Sequence, residues 1–461
     1  MTTGLAIMLG LLALSSLALA PRLREADAFF RGWSENIGPP GLLTLVFSQV
    51  TTWIFARSLL TAAILGYYYG IAGALAYAAY YLSFFTGAAI VDHIRFRHGE
   101  ASIQNFLRRR FGDGGVGCYN FVIGIRLLSE VFANLLVIGV IFGVAGSDAY
   151  IASIVILSAV TLAYSMMGGL QASLRTDVLQ MTVFAVVLGL IMVMLMRAQG
   201  WSATAALTSG VSDFDAGWNL LVVALLQVWS YPMHDPVMMD RGFIADRATT
   251  RASFLHAGWI SIICILAFAL LGVFAGLNGM EGEKMMPALT RLLGEPTMTL
   301  ISLALIVSAV STLDSTLSSA AKLCVIDMKW LRPTLRNGRL AMTLFMLGGL
   351  AFLFLGSKDL FDAVAVSGTA SMFLTPVILF SVWGKRDIPV WSYYAAFGAA
   401  ILGAVLYYGE AGGSITMIEP IFGIGVKYNK LLLICIAVLG IGLTCFAVGS
   451  AIQTPEKRAK D

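Results

Sequence analysis

Charged residues are scarce in this sequence: Asp, Glu, Lys and Arg make up 12% of its 461 residues, against roughly 25% in soluble domains. A soluble protein of this length needs a charged surface to stay dispersed, and here the charges stand in short clusters between long apolar runs. Many of those runs exceed the roughly 18 residues that mark a membrane-spanning helix. The composition therefore excludes a soluble protein and predicts an all-α protein that crosses a membrane several times.

Residues that carry catalytic or redox chemistry are also few. The five cysteines are scattered, and no two of them have the spacing of a metal site or a disulfide framework. Of four histidines, His93 and His98 lie in a basic connecting segment, and no Gly-rich nucleotide-binding loop occurs. We therefore expect no enzyme activity and no use of ATP, so that an ion gradient or a solute's own gradient drives whatever the protein does.

The apolar runs predict thirteen spanning segments. They fall at 3–20, 41–68, 71–92, 118–145, 149–167, 174–197, 218–239, 253–278, 297–326, 338–356, 359–383, 390–409 and 429–452. The first is expected to be a retained helix, because no basic start precedes it and Pro21 follows it directly; a signal peptide cleaved after Ala20 is the alternative.

Basic residues are concentrated in alternate connections between these segments. Examples are Arg108 to Arg110, the polar stretch 240–252 with Arg241, and the connection 327–337, whereas the other set of connections holds far fewer. Basic connections stay in the cytoplasm. We therefore expect a multi-pass protein of the cell inner (plasma) membrane, with its N-terminus outside and its C-terminus in the cytoplasm.

Several ionisable side chains stand inside the predicted segments, where their desolvation cost makes them candidates for function. They are Arg57, Arg126, Glu130, Asp177, His234, Asp235 and Asp314. The alternative for each is an internal ion pair or a helix end that reaches the membrane surface.

One face of the ninth segment carries a stripe of side-chain oxygens. At about 100° per residue the stripe spans an arc of about 160°, and the opposite face is Leu, Val and Ala. Its members are Ser308, Ser311, Thr312, Asp314, Ser315, Ser318 and Ser319. Hard cations such as sodium prefer oxygen ligands, so the stripe indicates a cation site; hydroxyls that bond to helix carbonyls or join two helices are the alternative.

Two prolines, Pro232 and Pro236, interrupt the seventh segment beside Tyr231, His234 and Asp235. Proline removes a helix donor and frees carbonyls, and broken helices of this kind line the binding sites of transporters. We favour a break that lines a site over a kink in which His234 and Asp235 bond each other.

The segment from Gly168 to Gln180 resembles the signature of the sodium:solute symporter family. It has paired glycines and a leucine, then Thr176-Asp177 and Gln180 at matching spacing, at the opening of a spanning segment. The number of segments and the expected outside N-terminus match as well. The resemblance covers essentially the whole chain and implies a LeuT-like core of two inverted five-helix repeats, the first helix of each being broken near the midplane.

By that analogy residues 1–461 are one transmembrane domain. An extra first helix and connector occupy 1–40, the two inverted repeats 41–197 and 218–383, and two peripheral helices 390–452. The implied function is sodium-coupled import of a small polar organic solute, an amino acid or a carboxylate, by alternating access; a solute sensor or a proton-coupled symporter is the alternative. Sodium and the solute would be bound within the lipid bilayer, with no nucleic acid, no ATP and no required oligomer.

The resemblance also implies two cation sites. For the common sodium site, between the second and ninth segments, the matching ligands are the hydroxyls of Ser311 and Thr312 and the carbonyls of Phe47, Val50 and Ser308. Some family members hold a second sodium nearer the cytoplasm, where the matching residues are Asp177, Ser311, Asp314 and Ser315.

Two departures from the family pattern matter here. Asp314 stands where relatives with the second site carry Ser, so it could bind a cation with Asp177, hold a proton, or instead neutralise Arg57. The second segment also lacks the glycine and proline break that is common in the family, because the stretch from Thr51 to Ser58 contains no helix breaker.

In this family the solute lies at the midplane between the second, third, fourth, seventh and eleventh segments. The matching candidates are Gln49, Thr52, Trp53, Arg57, Glu130, Asn134, Tyr231, His234 and Asp235. Polar groups of both signs suit a zwitterion or a carboxylate better than an uncharged sugar. Arg57 would be the anion partner, because a guanidinium binds a carboxylate through two hydrogen bonds.

Overall fold

The computed structural model describes residues 3–355 and 360–458, and these residues form helices and connections with no β-strand. Within them, seven helices are long and apolar enough to cross a membrane, or eight if the bent pair Val364–Ser371 and Leu374–Trp383 counts as one span. The predicted all-α membrane fold is confirmed, whereas the count of thirteen segments stays a prediction. The predicted boundary between the tenth and eleventh segments, at 356–359, lies outside the described residues.

The helices follow one another along the chain with short connections. They are α1 Thr3–Leu19, α2 Ala26–Arg31, α3 Leu42–Trp53, α4 Ala56–Ala79, α5 Ser83–Val91, α6 Ile103–Phe142, α7 Asp148–Arg197, α8 Ala203–Leu207, α9 Asn219–Gln227, α10 Pro236–Gly242, α11 Arg247–Leu277, α12 Met285–Lys322, α13 Leu335–Leu355, α14 Leu360–Ser371, α15 Leu374–Pro376, α16 Val390–Ala411, α17 Ile418–Phe422 and α18 Lys427–Arg458. The most extensive packing joins α4 to α11 and α7 to α12, so the core lies between these helices.

Four of the long helices are divided by a glycine whose backbone is left-handed. These glycines are Gly70 in α4, Gly112 in α6, Gly169 in α7 and Gly294 in α12. As a continuous helix, the 50 residues of α7 would extend over about 75 Å, far more than the roughly 30 Å hydrocarbon thickness of a bilayer. The divisions at Gly70 and Gly169 coincide with the gaps predicted between neighbouring segments.

The turn at Gly169 gives the paired glycines of the signature a structural role. Gly169 has a φ of +55°, and a Cβ atom there would lie 2.3 Å from the carbonyl oxygen of Phe29. We expect Gly169→Ala to lower the free energy of unfolding by roughly 2 kcal/mol or more, because it adds a strained backbone to a clash with rigid backbone. The measurement is thermal unfolding of the purified protein. Gly189→Ala is the control, since a Cβ there meets nothing within 4 Å, and equal melting of the two variants would contradict the expectation.

Both helices that open the expected repeats are broken. In the second half of the chain α9 ends at Gln227, a 3-10 turn covers Tyr231–His234, and α10 begins at Pro236. In the first half α3 ends at Trp53 and α4 begins at Ala56, with Phe55 at φ −48° and ψ 149°.

The break between α3 and α4 agrees with the broken first helix that the family resemblance implies, although the stretch from Thr51 to Ser58 contains no helix breaker. Its cause is tertiary, because the carbonyls freed there bond to side chains of other helices. The Tyr81 hydroxyl donates to the carbonyl of Trp53 at 2.8 Å, and the Ser308 hydroxyl donates to the carbonyl of Ile54. Buried carbonyls need such partners, so the break depends on its neighbours and not on glycine or proline.

Candidate functional site

Four buried ionisable side chains meet beside the two helix breaks. Arg57 stands in the first turn of α4, Arg126 and Glu130 lie one turn apart on α6, and Asp235 precedes α10. None of the four is more than 2% exposed. Two cations and two anions therefore share one interior site, close to the break that follows Trp53.

The four groups form a continuous ion-pair chain. The Arg57 guanidinium donates to Oε1 of Glu130, and Arg126 pairs with that same oxygen. Arg126 Nη2 also donates to Oδ2 of Asp235 at 3.0 Å, while Oδ1 of Asp235 caps α10 by accepting from the N–H of Met238 at 3.0 Å. The alternative in which Arg57 neutralises Asp314 is therefore wrong, because Glu130 on α6 takes that place.

Aromatic rings surround the ion-pair chain. The guanidinium carbon of Arg126 lies 5.4 Å from the ring centre of Phe55 and 5.7 Å from that of Tyr231. The ring of Trp53 lies edge-to-face against Phe84 at 5.0 Å and Tyr231 at 5.7 Å. Cation–π contacts of this kind stabilise a guanidinium that has lost its water.

The side chains of His234 and Asp235 bond to different residues. Nδ1 of His234 lies 2.8 Å from the carbonyl oxygen of Tyr231, and Nε2 lies 3.0 Å from the Ser367 hydroxyl. Asp235 pairs with Arg126. The alternative of a kink held by a bond between His234 and Asp235 is therefore wrong, and the break separates their roles.

Many polar atoms around this site have no hydrogen-bond partner among the described residues. They are both amide atoms of Gln49, Nε1 of Trp53, Nε and Nη1 of Arg57, Nε of Arg126, Oε2 of Glu130 and Oδ1 of Asn134. Of the other candidates, Thr52 donates to the carbonyl of Ser48 at 2.7 Å. A buried donor or acceptor that stays unpaired costs about 1–3 kcal/mol, so a bound polar molecule that supplied partners would be favoured here.

The end of α3 and the oxygen stripe of α12 are in direct contact. Besides the bond from Ser308 to Ile54, the Thr312 hydroxyl donates to the carbonyl of Ser308 at 2.9 Å. The carbonyl of Val50 accepts from the N–H of Ile54 at 3.0 Å, and Phe47 is half-buried one turn earlier. The Ser308 hydroxyl thus joins α12 to the end of α3, and the hydroxyl and carbonyl oxygens of these two helices are ligand types that suit sodium.

A second polar cluster lies where α7 meets α12. Asp177 accepts from the hydroxyl of Ser311 at 2.8 Å on Oδ1 and from that of Ser48 at 2.6 Å on Oδ2. Asp314 accepts from Tyr164 at 2.7 Å and Thr176 at 3.1 Å on Oδ2. All seven residues of the predicted stripe are buried, and the two carboxylates lie within a continuous set of hydroxyls.

Arg241 was missed as a site residue. Its place in a basic stretch predicted a cytoplasmic connector, but α10 continues through Gly242 and the Arg241 side chain is fully buried. Its guanidinium lies 3.4 Å from Oδ2 of Asp177. The available signal was its position five residues after Pro236, which places it on the helix that begins at the proline and not beyond it.

Comparison with proteins of known structure defines the class of fold. The chain superimposes with a TM-score of 0.71 and 15% identity on a Na⁺-coupled sialic acid symporter in a substrate-bound outward-open state, over 96% of each chain. It also superimposes with a TM-score of 0.58 and 15% identity on Mhp1, a nucleobase-cation-symport-1 family transporter in a closed conformation with bromovinylhydantoin bound, over 94% of this chain and 95% of that one. The protein therefore has the LeuT-like fold of sodium-coupled transporters.

Sequence comparison finds a relative that is similar over only part of the chain. The chain is 28% identical to sodium/glucose cotransporter 1 of Mus musculus over a 170-residue alignment, which covers 33% of this chain and 25% of the mouse protein. The matched part thus covers a quarter of that relative's length, and no family model matches the sequence. With the fold, this match confirms the resemblance to sodium-coupled symporters that the sequence predicts.

Proposed function

We propose that this protein is a sodium-coupled symporter that imports a small polar organic solute across an inner membrane by alternating access. The observation that carries the proposal is the contact between the break after Trp53 and the oxygen stripe of α12, made by Ser308 and Ile54. This contact joins a broken helix to hydroxyls at the position where sodium binding and solute binding would be linked. The proposed orientation has the C-terminus in the cytoplasm and the N-terminus outside, and the basic residues in alternate connections support it.

Sodium would bind where α3 faces α12. Its ligands would be the hydroxyls of Ser311 and Thr312 with the carbonyls of Phe47, Val50 and Ser308. The hydroxyls of Ser311 and Thr312 donate to Asp177 and to the carbonyl of Ser308, so the lone pairs of their oxygens would remain available to the ion. The site contains oxygen atoms alone, which favours a hard monovalent cation.

The solute would bind at the ion-pair chain beside Trp53. Arg57 keeps Nε and Nη1 without hydrogen-bond partners among the described residues, so either nitrogen could donate a charge-assisted hydrogen bond to an incoming carboxylate. Glu130 and Asp235 would balance a positively charged amino group. An amino acid or a carboxylate therefore suits the site better than an uncharged sugar, and import rather than catalysis is the proposed activity.

The test is thermal unfolding of the purified protein in sodium or potassium chloride, with a panel of amino acids, carboxylates and neutral sugars. A ligand of the native state at 100 times its dissociation constant stabilises that state by about 2.7 kcal/mol. We expect sodium, but not potassium, to raise the melting temperature, and a carboxylate-bearing solute to raise it further when sodium is present. Equal melting in both salts at every concentration would refute sodium coupling, and stabilisation by neutral sugars alone would refute the solute class.

A further inference from the structure

The cluster that matches the second sodium site of some family members already contains a fixed cation. Arg241, fully buried on α10, donates through Nη2 to the hydroxyls of Ser315 at 2.8 Å and Ser173 at 3.1 Å. The same nitrogen lies 3.4 Å from Oδ2 of Asp177, and Nε donates to the hydroxyl of Ser48 at 2.8 Å. The guanidinium therefore contacts oxygen atoms from α3, α7 and α12.

The oxygens predicted to hold a second sodium are all engaged by this arrangement. Asp177 accepts from Ser311 on Oδ1 and from Ser48, Ser173 and Arg241 on Oδ2. The hydroxyl of Ser315 is bonded to Arg241 and lies 2.8 Å from that of Ser173. A sodium ion bound to Asp177 and Ser315 would have to displace these hydrogen bonds.

Electrostatic repulsion also opposes the binding of a second sodium ion. A sodium ion bound to Asp177 and Ser315 would stand within a few ångströms of the guanidinium of Arg241, and two like charges at that separation repel strongly away from bulk water. The second carboxylate does not contact the guanidinium: the two oxygens of Asp314 accept hydrogen bonds from Tyr164, Thr176 and Ser315. The residues present fit a guanidinium better than a second sodium ion.

We propose that the Arg241 guanidinium takes the place of the second sodium ion, so that this protein binds one sodium ion where relatives with both sites bind two. The inference rests on the proposed sodium-coupled transport. Arg241 lies on α10, the second half of the broken seventh segment, and it links that half to α3, α7 and α12. The guanidinium thus supplies the positive charge at the junction of these helices, and no second sodium ion binds there.

The experiment counts sodium ions by equilibrium binding of radioactive sodium to the purified protein in detergent. We expect one ion for wild type, one for Arg241→Lys, which keeps the cation, and two for Arg241→Gln, which removes it. Adding Asp177→Asn to Arg241→Gln should return the count to one, because the vacated site loses its carboxylate. A count of two for wild type, or of one for folded Arg241→Gln, would overturn the inference.

A second variant covers the case in which Arg241→Gln does not fold. Ser315→Ala removes a ligand from the second site alone and leaves Ser311 and Thr312 in place. We expect the sodium concentration at half-saturation to stay within twofold of wild type, whereas a tenfold or larger increase would show that sodium uses Ser315 and would refute the inference. A wild-type count of zero would refute the proposed sodium coupling itself, which separates the two failures.

Discussion

Glu130→Gln is expected to lower the free energy of unfolding by about 3–5 kcal/mol, because removal of one charge from a buried ion-pair set leaves its partners uncompensated. Glu130 holds both Arg57 and Arg126 through one carboxylate oxygen, and the three side chains are almost completely buried. Glutamine keeps the shape of the side chain but not its charge. Asp235 alone would then face two guanidinium groups, and thermal unfolding at neutral pH measures the loss.

The matched control is an ion pair at the surface. Asp113 accepts from Arg108 at 2.9 Å, but its side chain is 91% exposed. Pairs of this kind contribute about 0–1 kcal/mol, so we expect Asp113→Asn to melt close to wild type. If Glu130→Gln lost no more stability than Asp113→Asn, the ion-pair chain would not be the organised interior site described above.

The double replacement of Ser311 and Thr312 by alanine should weaken sodium binding by about 100-fold. It removes two of five proposed oxygen ligands, and the loss of two contacts to a charged group, each contributing about 1.5–3 kcal/mol, exceeds the roughly 2.7 kcal/mol that corresponds to a factor of 100. The measurement is the sodium concentration that gives half of the maximal rise in melting temperature.

Ser318→Ala is the control for this double variant. Ser318 belongs to the same stripe and is buried, but its hydroxyl donates to the carbonyl of Asp314 one turn earlier at 2.8 Å. We expect its sodium midpoint to match that of wild type. A double variant with an unchanged midpoint would exclude Ser311 and Thr312 as ligands, and a Ser318→Ala effect of the same size would show that the loss is not specific to the proposed site.

Features that depend on local sequence were predictable. The oxygen stripe from Ser308 to Ser319 follows from helical periodicity, and the break between α9 and α10 follows from Pro232 and Pro236. The turn at Gly169 lies between two predicted segments because glycine alone adopts its left-handed backbone without strain. Each of these needs only residues that are close together along the chain.

Features that depend on distant residues were not predictable in the same way. The break at Ile54 is stabilised by Tyr81 and Ser308, which follow it by 27 and 254 residues, and no local signal marks it. The ion-pair partner of Arg57 was not predictable either, since Arg57 pairs with Glu130 on α6 and not with Asp314 on α12. The periodicity of a sequence indicates which side chains are buried, but it does not indicate which buried side chains contact each other.

The burial of Arg241 was not predicted, because the rule for basic connections indicated a cytoplasmic position. Clusters of basic residues near the ends of spanning segments are usually cytoplasmic, and Arg241 stands only six residues before Arg247. The helix that begins at Pro236 nevertheless carries it inward to Asp177. A buried arginine requires a partner, and that partner came from a helix about sixty residues earlier in the sequence.

The central claim, sodium-coupled transport of a small organic solute, is tested most directly by uptake into proteoliposomes that contain the purified protein. A radiolabelled amino acid or carboxylate found in the stabilisation screen would be supplied outside, with an inward sodium gradient, an equal potassium gradient or an inward proton gradient. We predict transient accumulation above the external concentration with the sodium gradient alone, and its loss when an ionophore dissipates that gradient. Simple equilibration that is equal in all three conditions, or accumulation driven by the proton gradient instead, would contradict the claim.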